Sequence, residues 1–396
     1  MPTYAIKTFG CQMNFSDSER LITFLKENGF SPLDDTTDSK LKTEEIINAD
    51  LIIFNTCGVR ASAENRVFGQ INNILTLAEQ KNKRPKILIT GCSAHRPDFQ
   101  KVLKGKADIF TSIKNFPQAL KKLNLLDTEV KEYRDYLAIQ PQYKYQDSVF
   151  VPIMTGCNNF CSYCVVPYAR GREWSRPWSE IVQELSRLTD CQEVTLLGQN
   201  VNSYAGQISS EELSTEPELQ AGLKYHRPSS KAKISSPQLT ITFPVLLAAL
   251  AQKFPRLNFK FLTSHPKDLS PELIAVIKKF PNIPNEIHLP LQSGSNKVLK
   301  DMNRPYTQEH YLDLITEIRR TIPKIKITTD VIIGFPTETE EDFRETVKVF
   351  HQAKFADAFL NKYSPRPGTK AYSLGDPIPW KVKKEREKKL REILSS

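Results

Sequence analysis

The chain is predicted to be an α/β protein in two parts: an N-terminal doubly wound parallel-sheet domain, then a partial (β/α)6 barrel. Two observations predict this. Short apolar runs alternate with amphipathic helical stretches along most of the 396 residues, as in parallel strands joined by crossover helices. A polar, tyrosine-rich stretch at 133–147 breaks the alternation and separates the two parts.

In the first part, runs rich in Ile, Leu and Phe end at Phe9, Phe54 and Thr90, and each is bounded by Gly or polar residues. Such runs read as strands. A fourth strand is expected at 107–113, and helices are expected at 16–27 and 61–80. In the second part six strands are expected, at 149–154, 193–197, 259–263, 286–291, 326–333 and 358–363. Helical patterns at 179–188, 245–254, 271–280, 308–320 and 340–354 lie between most of them. Residues 205–239 are rich in Ser, Glu, Gln and Pro, show no apolar periodicity, and read as a flexible insertion. The domain limits are accordingly 1–135, 146–378 and a basic helix at 379–396.

Composition narrows the function. Lys and Arg number 55 against 45 Asp and Glu, a net charge of +10, which suits a polyanion such as RNA or simply keeps the protein soluble. No apolar run approaches the roughly 20 residues that span a bilayer. The opening MPTYAIKTFGC lacks the basic and long apolar regions of a secretory leader. The expected location is the cytoplasm, where seven cysteines suit metal ligation better than disulfides.

The cysteines fall into two sets of three. Cys157-x3-Cys161-x2-Cys164 follows the first barrel strand, on the face where barrels of this kind place their chemistry. Three thiolates so spaced can hold three irons of a 4Fe–4S cube and leave the fourth iron open. Zinc is the competing reading. It would need a fourth ligand, with His265 or His288 at later strand ends available, but this spacing is not usual for zinc. Cys11, Cys57 and Cys92 each follow a strand of the first sheet. C-terminal strand ends of a parallel sheet share one edge, so these three can converge; alternatively they are ordinary buried thiols. Cys191 stands alone and is assigned to packing.

Cys157-Asn-Asn-Phe-Cys161-Ser-Tyr-Cys164, with an aromatic before its last cysteine, resembles the signature of radical S-adenosylmethionine enzymes. The segments Val166-Pro-Tyr-Ala-Arg-Gly-Arg-Glu-Trp-Ser-Arg-Pro177, Asn55-Thr-Cys57-Gly-Val-Arg60 and Gly91-Cys92-Ser-Ala narrow the resemblance to methylthiotransferases. Later segments agree, among them Thr263-Ser-His-Pro266, His288-Leu-Pro-Leu-Gln-Ser-Gly-Ser295 and Asp330-Val-Ile-Ile-Gly-Phe-Pro336. Thr8-Phe-Gly-Cys11-Gln-Met-Asn14 resembles the MiaB branch, which modifies tRNA. The RimO branch modifies a ribosomal-protein aspartate and usually has Pro-Lys after this cysteine.

The resemblance implies two 4Fe–4S clusters, one on Cys157, Cys161 and Cys164 and the other on Cys11, Cys57 and Cys92. It implies that S-adenosylmethionine binds the open iron of the first and is cleaved there by one electron to a radical that removes hydrogen. The second cluster would hold or supply the sulfur. Cosubstrate contacts are implied at Tyr163, Gly198, Gln199, Asn200, Ser264, Gln292 and Ile333. The implied substrate is the tRNA anticodon loop carrying isopentenyladenosine, to which a methylthio group is added at C2. The implied partner is an electron donor such as flavodoxin or ferredoxin, and the protein is expected to be a monomer. Arg170, Arg172, Arg176 and Arg304 are candidates to grip tRNA phosphates.

Two departures from the family are expected to matter, and a third is smaller: the chain stops at residue 396 where a TRAM domain would begin, so that either the gene lacks it or the chain is a fragment; residues 205–239 are inserted; and Lys260 stands where relatives commonly carry Arg. Alternatives remain a RimO-like protein modifier and a non-catalytic iron–sulfur RNA-binding protein.

Overall fold

The central parallel strands of the first domain are buried on both faces, which is why Leu51–Phe54 and Ile87–Ile89 are continuously apolar rather than alternating. The computed structural model describes residues 1–34, 40–59, 61–126, 135–143, 147–223 and 238–395. It divides into one unit of Met1–Pro152 with Val165–Arg172 and another of Ile153–Cys164 with Glu173–Ser396.

The first unit contains β1 (Thr3–Phe9), α1 (Gln12–Glu27), β2 (Ser31–Pro32), α2 (Thr43–Ile46), β3 (Leu51–Thr56) and α3 (Ala61–Lys81). It continues with β4 (Lys86–Gly91), α4 (Pro97–Val102), β5 (Ile109–Phe110), α5 (Phe116–Lys122), β6 (Ser148–Pro152) and α6 (Val166–Arg170). Its five-stranded sheet runs β2-β1-β3-β4-β5, all parallel. Phe54, Ile87 and Ile89 face Val67, Ile71 and Ile74 of α3, while Tyr4, Ile6, Ile53 and Leu88, also buried, alternate with them. The expected fourth strand is shorter than the sequence suggests: only Ile109–Phe110 pairs, and the chain then turns at Ile113–Asn115, capped by Ser112.

The second unit contains β7 (Met154–Thr155), β8 (Trp174–Ser175), α7 (Trp178–Leu185), β9 (Glu193–Leu197), β10 (Ala205–Ser209), α8 (Ser210–Thr215) and α9 (Pro217–Gly222). Then come β11 (Gln238–Thr242), α10 (Phe243–Lys253), β12 (Asn258–Phe261), α11 (Pro271–Lys279), β13 (Glu286–His288), α12 (Asn296–Asp301) and α13 (Gln308–Thr321). The last elements are β14 (Lys326–Ile333), α14 (Glu340–Ala353), β15 (Asp357–Lys362) and α15 (Trp380–Ser395). β9 pairs with β12, and β14 lies between β13 and β15, all parallel. The Lys260 ammonium sits 2.7 Å from Glu193 and 3.5 Å from Glu286, tying β12 to β9 and to β13. Ser270, Ser295, Thr307 and Thr339 start α11, α12, α13 and α14, each accepting a backbone N–H two or three residues into its helix.

The segment read as a flexible insertion is largely built. β10 and β11 form an antiparallel ladder from Ala205↔Thr242 to Ser209↔Gln238. Ser209 and Glu212 close a capping box on α8, and α9 packs on α10 through buried Leu219 and Gly222. The polar composition misled because only one side of this hairpin and these short helices is covered; residues 224–237 lie outside those described.

At the chain's end, α15 packs on α14, β14 and β15. Lys383 is fully buried, donating to the Tyr363 carbonyl at 3.0 Å and pairing with Asp376. Arg386 pairs with buried Glu338, which also accepts the Gly334 N–H at 2.8 Å. Gly334 has φ +73°, and a Cβ there would meet the Lys383 side chain at 2.6 Å. Only glycine fits both the turn and the lysine.

Candidate active site

In the first unit, register brings three strand ends together. Phe9 pairs with Thr56, and Thr56 with Gly91, so Cys11, Cys57 and Cys92 share one sheet edge. The Cys57 N–H donates to the Phe9 carbonyl at 2.9 Å, and the Ser93 hydroxyl donates to the Cys57 carbonyl at 2.9 Å. A Cβ on Gly58 would lie 3.3 Å from that of Cys92. Beneath them the Asn14 amide donates to Asn55 Oδ1 at 2.9 Å, and the Asn55 amide donates to the Asn14 backbone carbonyl at 2.8 Å and to the Ser18 hydroxyl. This buried amide pair, missed at the level of sequence, fixes α1 against β3.

Cys11 stands at the N-cap of α1. A hydrogen bond from the Cys57 thiol, with help from Arg170, pulls its pKa down to about 6, while Cys57 is pushed well up by that bond and by burial. Arg170 is buried, 2.7 Å from Asp17 and 3.3 Å from the Tyr136 hydroxyl. It is thus committed to this edge rather than to a surface phosphate.

In the second unit the loop carrying Cys157, Cys161 and Cys164 is clamped from outside. Asn303 donates to the carbonyls of Asn159 and Phe160 at 3.2 and 3.0 Å. The Ser162 N–H reaches the Met302 carbonyl at 3.0 Å and its hydroxyl the Asp301 carbonyl at 2.8 Å. Phe160 adopts φ +49°, an uncommon left-handed conformation for a bulky residue. Cys157 and Cys161 are buried and Cys164 is half-buried; burial raises the pKa of Cys157. Arg304, expected as a phosphate contact, is buried with Nη1 at 3.6 Å from the Cys161 Sγ. Arg176 is fully buried too, 2.9 Å from Glu184. Arg172 is exposed. Charge alone does not say whether an arginine is inside, and three of the four are.

The remaining sequence-predicted residues fall into two groups. The Thr263 hydroxyl donates to the Gly198 carbonyl at 2.6 Å and the Val201 N–H to the Thr263 carbonyl at 3.2 Å. These bonds set Gly198, Gln199, Asn200 and Ser264 side by side past β9 and β12. A Cβ on Gly198 would meet Met154 at 2.5 Å. The second group lies past β13 and β14. The Gln292 N–H donates to the Asp330 carbonyl at 2.8 Å and the Gln292 carbonyl accepts the Ile332 N–H at 3.0 Å, next to buried Ile333. Tyr163 packs with Ile332 on a cluster of Val298, Met302, Phe335, Tyr363 and Ala371. Thr263 and Gln292 hold φ of +67° and +66°; strained backbone of this kind gathers at functional edges.

The first group and its neighbours carry buried polar atoms that have no partner among the described residues: Gln199 Oε1, Asn200 Oδ1, both amide atoms of Asn202, Ser264 Oγ and His265 Nε2. Buried polar atoms in folded proteins are nearly always bonded, so this concentration calls for a polar ligand. The Lys267 N–H donates to His265 Nδ1 at 3.2 Å, which leaves the proton of the neutral ring on Nε2. Burial, then Arg304 and Lys267, hold that ring neutral, with its pKa down to about 2. His265 and Asn202 were not picked out as cosubstrate contacts, although His265 lies in a quoted motif; their orphaned atoms are visible only in three dimensions. His288 instead bonds Asp330 and Thr328, both at 2.9 Å.

All seven cysteines are free thiols. Among the described residues no three Cys, His, Asp or Glu side chains converge as closely as a single metal ion requires. A 4Fe–4S cube, with irons at alternate corners, takes its thiolates further apart.

Comparison with known proteins agrees with this geometry. Residues 151–350 match the family described as the radical SAM superfamily, and residues 3–112 match the uncharacterized protein family UPF0004. The tRNA-2-methylthio-N(6)-dimethylallyladenosine synthase of Syntrophomonas wolfei is 40% identical over 98% of this chain and 80% of its own length. The synthase of the same name from Clostridium botulinum strain Hall is 38% identical over 99% of this chain and 81% of its own. In fold, the chain is similar to the apo cobalamin-dependent S-adenosylmethionine radical enzyme OxsB, with a TM-score of 0.57 at 11% identity, covering 99% of this chain and 56% of that one. From these relatives and the paired cysteine sets, the chain belongs to the tRNA-2-methylthio-N(6)-dimethylallyladenosine synthase family of radical S-adenosylmethionine methylthiotransferases, and is an enzyme.

Proposed function

We propose that this chain adds a methylthio group to C2 of N6-isopentenyladenosine beside the anticodon of tRNA, using two 4Fe–4S clusters and S-adenosylmethionine. The observation that carries the reading is the presence of two separate sets of three free thiols in one chain. In this reading Cys157, Cys161 and Cys164 hold one cluster, and Cys11, Cys57 and Cys92 the other. The donor sets fit: each is thiol-only, as iron–sulfur clusters take, and Cys11 is already biased toward thiolate. The orphaned atoms of Gln199, Asn200, Ser264 and His265 fit a cosubstrate rich in amino, carboxylate and hydroxyl groups. Tyr163, Gly198, Gln292 and Ile333 complete its contacts, with Gly198 offering close backbone approach.

When bound, these groups supply the one-electron chemistry that side chains lack. The chain's own residues do the rest. The clamp from Asp301, Met302 and Asn303 holds the Cys157–Cys164 loop in one shape. The Asn14–Asn55 pair and Ser93 hold the other edge. His265 donates from Nε2, while Ser264 and the amides of Gln199 and Asn200 orient the cosubstrate. The parts are an N-terminal methylthiotransferase domain at 1–135, a radical S-adenosylmethionine barrel at 146–378 and a basic helix at 379–396. A low-potential carrier such as flavodoxin or ferredoxin supplies electrons to a cytoplasmic monomer. No helix among the described residues is long and apolar enough to cross a membrane.

Mass spectrometry of tRNA from a strain lacking this gene tests the substrate: methylthioadenosine should disappear and return on complementation, and an unchanged level rejects the reading. Anaerobic reconstitution should give roughly eight irons per chain, from two four-iron cubes; about four would remove the second cluster.

A further inference from the structure

We propose that Arg304 is a positioning residue that raises the reduction potential of the cluster on Cys157, Cys161 and Cys164. The proposal rests on the assignment of that loop to a cluster. Arg304 leaves the end of α12 and turns inward. Each branch of its guanidinium has a fixed partner: Nη1 the Cys161 Sγ at 3.6 Å, Nε the Tyr306 hydroxyl at 3.0 Å, Nη2 the Pro290 carbonyl at 3.2 Å. The Tyr306 hydroxyl is itself anchored on the Leu291 carbonyl at 2.8 Å. The fork is therefore held rigidly against the sulfur.

Its charge has no carboxylate partner among the described residues. The titratable groups that face it are Cys161, Tyr163, Tyr306, Tyr311 and His265, and the imidazole among them is neutral. A buried cation without an anion is costly. Three thiolates around an iron–sulfur cube supply that anion. One electron from a low-potential carrier adds one negative charge to the cluster and moves no proton. A fixed cation and an N–H···S hydrogen bond at a ligand sulfur stabilise the more negative, reduced form more than the oxidised one. Arg304 thus eases the reduction on which the reaction depends.

The test uses the full chain with Cys11, Cys57 and Cys92 replaced by Ala, so that one cluster is seen, titrated anaerobically and followed by electron paramagnetic resonance. Arg304→Gln should retain its iron while the reduced-to-oxidised ratio at fixed potential falls about tenfold, or about 59 mV for a one-electron couple. Arg304→Lys, which keeps the charge but loses the fork, should fall between that variant and the parent. Tyr306→Phe, which frees Nε, should shift the same way by less. An unchanged or more positive potential in an iron-loaded Arg304→Gln overturns the proposal. If that variant holds no iron, Tyr306→Phe decides, and an unshifted potential there overturns it. A parent that binds no cluster overturns the assignment of the loop instead.

Discussion

At the scale of single residues, burial separates what looks alike in sequence. Arg170, Arg176 and Arg304 lie among other basic and polar residues, yet each is buried against a different partner: Asp17, Glu184 and Cys161. The six strand-end and loop cysteines were legible because their placement follows from chain order alone. The orphaned His265 Nε2 was not, because it depends on which loop covers it. His265→Gln keeps polarity but displaces the donor. It should weaken S-adenosylmethionine binding about tenfold, the worth of roughly one hydrogen bond, at unchanged iron content. Equilibrium binding to reconstituted protein checks this.

At the scale of elements, the long periodic helices were the easiest to read. α11 begins at Pro271 and α14 at Glu340, where the sequence places them, because Ser270 and Thr339 cap them. The regular elements within 205–222 were not legible because they are short and covered on one side only. The last helix makes two predictions. Lys383→Met leaves the Tyr363 carbonyl and Asp376 without their donor, and should cost about 1–3 kcal/mol of stability, seen as a lower midpoint in chemical denaturation. Burial also pushes the Glu338 carboxyl up to about 7 despite Arg386. Its folded pKa thus lies above the ordinary glutamate value of about 4.5. Its contribution is therefore full below that value and is lost as pH rises toward 7. Stability measured across that window should decline in the parent and decline less in Glu338→Gln.

At the scale of the whole molecule, a net charge of +10 is the only feature of composition that points to a nucleic acid. Many of these cations are internally paired, such as Lys260, Lys383 and Arg386, so the count overstates what is free to meet RNA. Binding to an anticodon stem-loop should still weaken as salt rises from about 50 to about 200 mM. The slope of log K against log salt should be shallow, reporting few phosphate contacts; fluorescence anisotropy measures it. The fold class was legible at this scale from alternation alone. The division of the chain was less so, because Val165–Arg172, which directly follows the cysteine loop, is grouped with the first unit, and no local pattern marks that.

The buried pairings of Lys383 and Arg386 with Asp376 and Glu338 also bear on the order of events during synthesis. The thiols at 157, 161 and 164 leave the ribosome well ahead of the final helix, by some tens of seconds at roughly 5–20 residues per second. The Gly334 turn cannot close on Lys383 until that helix has emerged. Through that interval the loop has its clamp from Asp301, Met302 and Asn303 but not the finished turn at Gly334. Keeping the growing chain reduced through that interval should therefore favour thiols that are free to take a cluster.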